Sequence, residues 1–586
     1  MRKSDPDLGI GDEMRCGVRR RSSAGGAAPN VGSMSRTDET PSTTESVPAP
    51  DPTGPDRSTS ARRRRTAGRG RAALAGLVGA GTALGVGELV AGFHRDFASP
   101  VESVAEAVID RAPRPVERFA IDTFGTNDKL ALVLGTLALS ALLGMALGVA
   151  SRRRRWVGTA GLALFALAGA LAAIEPPGAS LSAAVPSLAA GLAGIVALRF
   201  LVPSVAGPAP SGPVADDAPA RAGHPPVITR GGMASRRTFL VTTGAVAALA
   251  AAAGASGRAL RSRFSAAESR AAVVLPRPTQ PLPPVPPGVE VGVDGVAPFV
   301  TPNADFYRVD TALIVPQVRA EDWTLRVHGM VDRPVELSYA DLLDQGLVEA
   351  DVTLTCVSNQ VGGDLVGNAR WLGVLTRDLL DRAGVQDGAD QLVGRSTDGY
   401  TCGFPVDHAY DRDCLVAVGM NGEPLPLRHG FPARLVTPGI YGYVGSTKWL
   451  TELELTTFDA FDQYWVPRGY AAQAPIKTMA RIDTPRSLER VAAGTVMVAG
   501  VAWAQTRGIE AVEVRVDDGE FRPAELADAL GDDTWRQWRF PWEATPGRHD
   551  ITVRATDGTG DVQVEERTGV VPDGATGWMS LAVTVE

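Results

Sequence analysis

Five apolar stretches, three of which follow clusters of arginine, dominate the first half of this 586-residue chain. They cover residues 72–93, 130–150, 156–174, 181–202 and 239–255. A helix needs about 20 apolar residues to cross the hydrocarbon core of a bilayer, so the first four are long enough and the fifth lies at the lower limit. The alternative, a buried helical domain in water, is disfavoured because charged residues flank every stretch. We therefore expect residues 71–255 to form a transmembrane region of about five helices in contact with lipid.

The arginine clusters also predict how this region is oriented. Arg62 to Arg65 precede the first stretch, Arg152 to Arg155 divide the second from the third, and further arginines lie between the fourth and fifth. By the positive-inside rule these three segments face the cytoplasm. The loops at 94–128 and 175–180 carry mixed charge or no Lys or Arg, which fits the outer side. This interpretation gives a multi-pass cell-membrane protein whose residues after 255 are extracytoplasmic.

The arginine pair before the fifth stretch has a second interpretation. Ser235-Arg236-Arg237-Thr238-Phe239-Leu240 is similar to a twin-arginine export signal, which is used for proteins that fold before they cross the membrane. The pair also serves as a positive-inside cluster, and the two interpretations are compatible. We expect the fifth helix to be kept as an anchor, because no separate small-residue cleavage site stands apart from its Ala-rich run.

Two segments have compositions that do not favour a packed core. Residues 1–70 are rich in Arg, Ser, Thr, Pro, Asp and Gly, so we interpret them as a disordered cytoplasmic tail. Residues 256–288 end in LPRPTQPLPPVPPG, and such a density of proline favours an extended, semi-rigid linker. We expect this linker to hold the following domain away from the membrane.

The charge, histidines and cysteines restrict partners and cofactors. The net charge is −8 and the soluble part has no basic stripe, which argues against nucleic acid as a partner. A haem between membrane helices usually needs paired histidines, and only His94 lies near an apolar stretch. The chain also lacks a CxxC motif. We therefore expect no haem or iron–sulfur cluster, and a separate electron-transfer partner for any redox chemistry.

The remaining residues divide into two parts with different patterns. Residues 289–474 mix strand-like runs such as WTLRVHG with short helix-like runs such as LTRDLLDRAG, which indicates an α+β domain. Residues 475–586 contain alternating runs such as VEVRVDDG, separated by turns, which favours an immunoglobulin-like β-sandwich. The fold class expected for the whole chain is therefore multi-domain, with helical transmembrane, α+β and β-sandwich parts.

Four strings in the α+β part carry a resemblance to a known family. LTCVSNQ around Cys356 is followed in order by GNARWLGV, NGEPLPLRHGFPAR and GSTKWL. Together they resemble the sulfite oxidase family of molybdenum enzymes, over about residues 290–470. The resemblance implies that the Cys356 thiolate binds molybdenum, whose other sulfurs come from the dithiolene of a molybdopterin cofactor. A lone thiol without these strings would be interpreted as buried and inert.

The resemblance also implies roles for other residues. It assigns catalytic or substrate-binding roles to Cys356, Arg308 and Tyr470, the last in WVPRGY. Asp310 stands where vertebrate relatives have a histidine, so the contact with the pterin there is in doubt. Relatives also carry an immunoglobulin-like domain after the molybdenum domain, which implies a homodimer through residues 475–586. The cofactor contacts implied by matching strings are Phe306, Tyr307, Arg308, Asp398, His429, Arg434, Ser446, Thr447 and Lys448.

The favoured function is two-electron oxygen-atom transfer to or from a small substrate outside the membrane. The alternatives are an exported reductase of sulfoxides, including methionine sulfoxide, and a non-catalytic membrane protein that keeps the fold. Sulfite is expected to be a poor substrate, because Val361 and the string PDGATGW stand where relatives place anion-binding arginines. A disulfide between Cys402 and Cys414 stays open, since spacing alone cannot establish its geometry.

Overall fold

The computed structural model describes residues 57–113, 128–176, 179–202 and 236–586, with the single positions 116, 119 and 123. The predicted tail up to residue 56 and the segment 203–235, which includes Ser235, lie outside the described residues. The side chain of Arg236 lies outside them too.

Long helices form the region that the sequence predicts to cross the membrane, called the membrane region below. Five of them contain candidate membrane spans by length and composition, at Gly68–Ala91, Lys129–Ser151, Arg155–Ile174, Leu181–Leu201 and Arg237–Ala272. The five predicted stretches are confirmed as candidate spans, and the last is longer than its predicted 239–255. The helices are α1 (Arg57–Ala91), α2 (Pro100–Arg111), α3 (Asp128–Ser151), α4 (Arg155–Ile174), α5 (Val185–Leu201) and α6 (Arg236–Arg261).

Small residues let these helices approach closely. A Cβ atom added to Gly76 on α1 would lie 2.0 Å from the carbonyl oxygen of Gly144 and 2.8 Å from the backbone of Gly148, both on α3. The two backbones therefore touch, which is the packing expected where lipid provides no hydrophobic drive between helices.

The Pro-rich segment is docked on the next domain, so the prediction of a spacer is wrong. The helix α6 runs to Arg261 and a short helix, α7 (Ala267–Ala272), follows it. Arg270 then donates to the carbonyl of Leu425, and the backbone of Thr279 donates to that of Leu347 at 2.8 Å. The segment finds partners along the folded surface, and this docking replaces the solvated extended chain that its composition predicts.

The α+β domain is built from two sheets. One of its short helices, α8, begins at a polar cap, where Ser338 and Asp341 form a reciprocal capping box. The helices are α8 (Tyr339–Leu343), α9 (Thr376–Ala383), α10 (Val406–Asp411) and α11 (Gly442–Gly445). The strands are β1 (Thr324–Gly329), β2 (Val335–Ser338), β3 (Val348–Thr355), β4 (Val366–Leu375), β5 (Gln391–Ser396), β6 (Thr401–Pro405), β7 (Leu415–Met420), β8 (Glu423–Pro424), β9 (Arg434–Val436) and β10 (Leu450–Thr456).

One sheet has the order β2-β1-β10-β5-β6, and the other has the order β3-β4-β7-β8 with β9 paired to β7. The two sheets share a core that includes the fully buried Trp371 and Phe431. A turn at Asn421-Gly422 joins β7 to β8, and the two residues have positive φ angles of 52° and 82°. The α+β prediction for this part is confirmed.

The C-terminal part is a pair of β-sheets around a second core that contains Trp538 and Trp542. The sheet orders are β11-β13-β17-β16 and β12-β19-β18-β14-β15. The immunoglobulin-like class and the homodimer stay predictions. The strands are β11 (Met479–Thr484), β12 (Arg490–Val491), β13 (Gly494–Trp503), β14 (Ile509–Val516), β15 (Arg522–Pro523), β16 (Glu525–Leu526), β17 (Arg536–Ala544), β18 (Gly547–Asp557) and β19 (Met579–Val585).

Candidate functional site

Cys356 is the first residue after β3, and the chain turns sharply there. Its backbone N–H donates to the carbonyl of Leu365, while the N–H of Ser358 points at its sulfur at 3.4 Å. Burial raises the pKa of the thiol, although the Ser358 N–H and the Lys448 ammonium act to lower it. A bound metal ion would deprotonate such a thiol. Cys356 is thus held at the end of a strand.

The segment Phe306-Tyr307-Arg308 lies beside this thiol. Phe306 is buried and packs edge-on against Trp371 and His429, with ring centroids 5.9 and 5.7 Å apart. Burial raises the pKa of Tyr307, the Cys356 thiolate raises it further, and Arg434 opposes both. Tyr307 is therefore close enough to Cys356 and Arg434 for their charges to act on it, and stays a neutral phenol.

His429 and Arg434 are both buried and lie next to each other. An Arg434 Nη atom donates to the carbonyl of His429 at 3.3 Å, and its guanidinium stacks 4.9 Å from the centre of the Trp371 ring. Burial lowers the pKa of His429 to about 3, with Arg434 and Lys448 contributing, so this imidazole is neutral at ordinary pH. Burial also lowers the pKa of Arg434 to about 10, which leaves it charged.

The string GSTKW contributes three adjacent side chains. Thr447 is fully buried and its hydroxyl donates to the carbonyl of Gly394 at 3.2 Å. The Lys448 ammonium donates to the carbonyl of Val309 at 2.8 Å and lies 3.2 Å from Asp310. Burial lowers the pKa of Lys448 to about 8, even though Asp310 raises it. Ser446 has a buried hydroxyl, treated below.

Asp310 is the centre of a buried ion cluster. Its carboxylate accepts from Arg308 at 2.7 Å, from Lys448 at 3.2 Å and from Lys129 on α3 at 2.8 Å. Burial raises the pKa of Asp310, but Lys448, Arg308 and Lys129 together hold it well below the usual range. The structure agrees with the doubt about a pterin contact at this position, because the Asp310 carboxylate binds the cations around it. Lys129 was not predicted, since it lies 181 residues away in the sequence.

Tyr470 belongs to a chain of aromatic rings at the edge of the site. Its ring lies 5.4 Å from Tyr443 and 5.3 Å from Trp465, while Tyr464 lies 5.7 Å from Tyr400. The Tyr400 hydroxyl donates to the carbonyl of Tyr443 at 2.9 Å. The Cys356 thiolate contributes to raising the pKa of Tyr400, so this ring lies near the thiol. Tyr400 is a site neighbour that the sequence reasoning missed.

Tyr400 and Asp398 line a cleft between the α+β domain and the ends of α2 and α4. The Asp398 carboxylate accepts from the backbone N–H of Tyr400 at 3.2 Å, so it also shapes the turn that carries this tyrosine. The cleft holds about 190 Å³. Its described lining is Glu106, Ala107, Ile109, Ala172, Glu175, Pro176, Thr311, Ala312, Asp398, Gly399, Tyr400 and Tyr464. Among these lining residues there are three carboxylates and no Lys or Arg, although Arg111 pairs with Glu175.

The positions of the expected anion-binding arginines hold other groups. Val361 is half-buried and packs against the core. In the string PDGATGW, Asp573 pairs with Lys477 at 2.9 Å. Arg468 stacks 3.6 Å from the centre of the Tyr464 ring and donates to the Tyr464 carbonyl, so it lies in the same aromatic chain as Tyr470. Cys402 and Cys414 are separate, buried free thiols, without a disulfide between them.

The donors around Cys356 fit an anionic cofactor with hydrogen-bonding edges. His429 Nδ1, Arg434 Nε and Ser446 Oγ are buried and have no hydrogen-bond partner. Buried polar atoms normally find partners, so several orphans in one place indicate a missing polar ligand. Arg and Lys are the residues that bind phosphate groups. A thiol beside such orphaned donors suits a metal held by a pterin that carries a phosphate.

Comparisons with known proteins agree with this geometry. A family profile described as "Oxidoreductase molybdopterin binding domain" matches residues 312–465. The uncharacterized oxidoreductase YuiH of Bacillus subtilis is 34% identical over 148 residues, which cover 25% of this chain and 72% of that protein. Human mitochondrial sulfite oxidase is 28% identical over 320 residues, 45% of this chain, and the chain spans only 57% of that enzyme's length. The crystal structure of the sulfane dehydrogenase SoxCD from Paracoccus pantotrophus matches 50% of this chain and 85% of its own, at 21% identity and a TM-score of 0.44.

Proposed function

This chain belongs to the sulfite oxidase family of molybdopterin-dependent oxidoreductases, and we propose that it transfers an oxygen atom between water and a small substrate at Cys356. The cofactor, when bound, supplies the two-electron redox chemistry of molybdenum. Oxidation of the substrate takes its oxygen from water and releases two electrons and two protons; reduction of a sulfoxide runs the same balance backwards. A separate electron-transfer partner accepts or supplies the electrons.

One observation carries this proposal: the Cys356 thiol lies among buried donors that lack partners. His429, Arg434 and Ser446 would bind the pterin, and Lys448 its phosphate. Tyr307 is a neutral phenol near the thiol, so it can donate a hydrogen bond without adding charge, whereas the hydroxyl of the neighbouring Tyr400 already donates to the Tyr443 carbonyl. A non-catalytic membrane protein that keeps the fold has no use for a buried thiol combined with these orphaned donors.

The test uses the full chain purified in detergent. Molybdenum is measured by elemental analysis, and the pterin by its fluorescence after oxidative release. The proposal requires both in near-equal amounts with the protein. If folded protein made in cells that produce the cofactor contains neither molybdenum nor pterin, the proposal is refuted and the non-catalytic alternative is favoured.

We also propose that the α+β domain works on the extracytoplasmic side of the membrane. The arginine clusters support this orientation through the positive-inside rule. A reporter that is active only outside the membrane, fused after Gly288, is expected to be active, whereas the same reporter at Pro210 is expected to be silent. Replacing both Arg236 and Arg237 with Lys should block export of the metal-loaded domain; normal export would leave these arginines as orienting charges only.

The substrate proposed here is neutral or cationic. Three carboxylates line the cleft beside Tyr400, and Val361 and the string PDGATGW stand where relatives place anion-binding arginines. Each lost charge-assisted contact to an anion costs about 1.5–3 kcal/mol, so two losses weaken sulfite binding by roughly a hundredfold or more. Steady-state assays with an artificial electron acceptor should therefore show slow oxidation of sulfite with a high KM. The sulfoxide-reductase alternative is tested with neutral sulfoxides and an artificial donor, and a micromolar KM for sulfite with rapid turnover would refute the substrate class.

A further inference from the structure

Lys129, the second residue of α3, reaches from the membrane region into the cofactor site. Its ammonium donates to the Asp310 carboxylate at 2.8 Å, to the Asp310 carbonyl at 2.9 Å and to the Ala312 carbonyl at 2.5 Å. A lysine at the end of a membrane helix ordinarily extends to the water interface. Here all three donor directions of the ammonium are aimed at one short stretch of the α+β domain.

Asp310 transmits this contact to the site. The Asp310 side chain is only 5% exposed, so its charge needs partners. Two of its partners, Arg308 and Lys448, are candidate substrate and cofactor residues, at 2.7 and 3.2 Å. One carboxylate therefore fixes three cations relative to each other, and the cation supplied by the membrane region completes the set.

The same contact holds the wall of the cleft. Thr311 and Ala312 line the cleft beside Asp398 and Tyr400. The stretch from Asp310 to Ala312 has no regular secondary structure, so its backbone depends on side chains such as Lys129 for its hydrogen bonds. Losing the ammonium would remove one of the three cations around the carboxylate and the hydrogen bonds to this wall.

We propose that Lys129 is a positioning residue, through which the membrane helix α3 completes the substrate and cofactor site of the α+β domain. The inference rests on the proposed function for its catalytic consequence. The membrane region is then part of the working site, in addition to being an anchor.

The chain offers a matched control for this proposal. Arg95, after α1, also bonds an aspartate of the α+β domain, with an Nη atom 2.6 Å from Asp322. That pair is exposed, at 61% and 42% of the two side chains, and Asp322 precedes β1. Arg95→Met therefore removes a contact between the same two regions, without touching the Asp310 cluster.

The experiment compares full-length Lys129→Met, Lys129→Gln, Lys129→Arg and Arg95→Met in detergent. Hydrogen exchange by mass spectrometry follows the peptide that spans residues 306–314, and steady-state kinetics give KM and kcat separately. We expect faster exchange in this peptide for Lys129→Met and Lys129→Gln, with KM raised or pterin retention lowered by about 10- to 100-fold, the range typical of outer-shell partners. Lys129→Arg should recover most of both properties, because a guanidinium still donates to the carboxylate. Arg95→Met should match the unmodified protein.

Each outcome decides one of the two proposals. If the Met and Gln variants match Arg95→Met in both exchange and KM, the positioning role is refuted, whatever the cofactor content. If only Lys129→Met fails to accumulate, Lys129→Gln is compared with Arg95→Met in exchange and KM, and this comparison decides the positioning role. If the unmodified protein lacks molybdenum and pterin, the proposed function fails, while the exchange comparison still reports whether Lys129 holds this stretch.

Discussion

The membrane region and the α+β domain pack by opposite rules. In the membrane region the large apolar side chains point outward, as with Leu164 and Phe200, which are 68% and 62% exposed. Small residues at the helix contacts of that region let backbones touch, although some large side chains, such as Leu201 and Phe239, are buried there too. In the α+β domain the large rings are inside, and Trp371 and Trp323 are almost fully buried. This contrast is the one expected if lipid solvates the surface of the helices and water that of the α+β domain.

The difference determines where a substitution does harm. In the α+β domain, function depends on buried polar and soft groups around Cys356. In the membrane region, integrity depends on the absence of side chains at a few glycines. The following substitutions separate the two rules, from the largest expected effect to the smallest.

Cys356→Ser is expected to have the largest effect. A hydroxyl is hard and has a high pKa, so it is a poor replacement for a thiolate on molybdenum. Turnover should fall by more than about 100-fold, since loss of an outer-shell partner alone costs up to that amount. The pterin should remain, because Arg434 and Lys448 are unchanged. Cys414→Ser, at another buried thiol, is the control: its folded fraction should keep normal turnover, and full turnover in Cys356→Ser would contradict the ligand assignment.

Gly76→Val tests the packing rule of the membrane region. The new side chain would collide with the α3 backbone near Gly144, and overpacking of this kind costs about 1–3 kcal/mol or more. The melting temperature measured in detergent should therefore fall. Gly81→Val on the same helix meets nothing within 4 Å and should leave melting unchanged. Equal melting of the two variants would show that the backbone contact between α1 and α3 is not needed.

Arg434→Met tests the proposed binding of the pterin by Arg434. Methionine keeps most of the volume against Trp371 and removes the charge and the donors. We expect affinity for the pterin to fall by about 10- to 100-fold. Arg395→Met is the control, because Arg395 also stacks on a ring, 4.6 Å from Phe461, and pairs with Glu454. If Arg434→Met retains as much pterin as the control, Arg434 does not bind the pterin.

The pH dependence of Lys448 should give the smallest effect. Its pKa is lowered to about 8, so the ammonium is charged below pH 8 and loses its proton as the pH rises through that value. Cofactor retention should therefore decrease above pH 8, by about fivefold, because a charge-assisted hydrogen bond is roughly 1 kcal/mol stronger than a neutral one. The effect of pH on folding stability has the opposite sign. As the pH rises and Lys448 becomes neutral, the free-energy cost of burying its charge disappears, which favours the folded state. Lys448→Arg should retain cofactor equally from pH 7 to 9, and a fall as steep as in the unmodified protein would exclude Lys448 as its cause.

A feature could be predicted from the sequence when all the residues that produce it lie in one segment of the chain. Hydropathy located all five candidate spans, because a bilayer imposes length and polarity on each helix separately. The resemblance named Cys356, His429 and Arg434, because they occur in characteristic strings, and their roles stay predictions. Tyr400 was missed because the turn that carries it, DGY, is ordinary in sequence. Its nearness to the predicted residue Asp398 was the available signal. Lys129 carried no signal at all, since only folding brings it to Asp310.

The Pro-rich linker shows the same limit. Its composition predicts an extended chain, and the backbone dihedral angles of proline favour one. Whether such a chain is solvated or docked depends on partners such as Leu347 and Leu425, far away in sequence. Local propensity therefore predicted its conformation better than its location.

The docked linker has a consequence for the strength of the contact between the two regions. Because α6 and the segment that follows it connect them through a short, held path, Lys129 meets Asp310 as an intramolecular partner, at an effective concentration of about millimolar or higher. A single buried ion pair can then be well populated without being a tight binding site. If the chain were cut within residues 273–288, the two pieces would have to find each other by diffusion, and the contact between α3 and the site would become dependent on protein concentration.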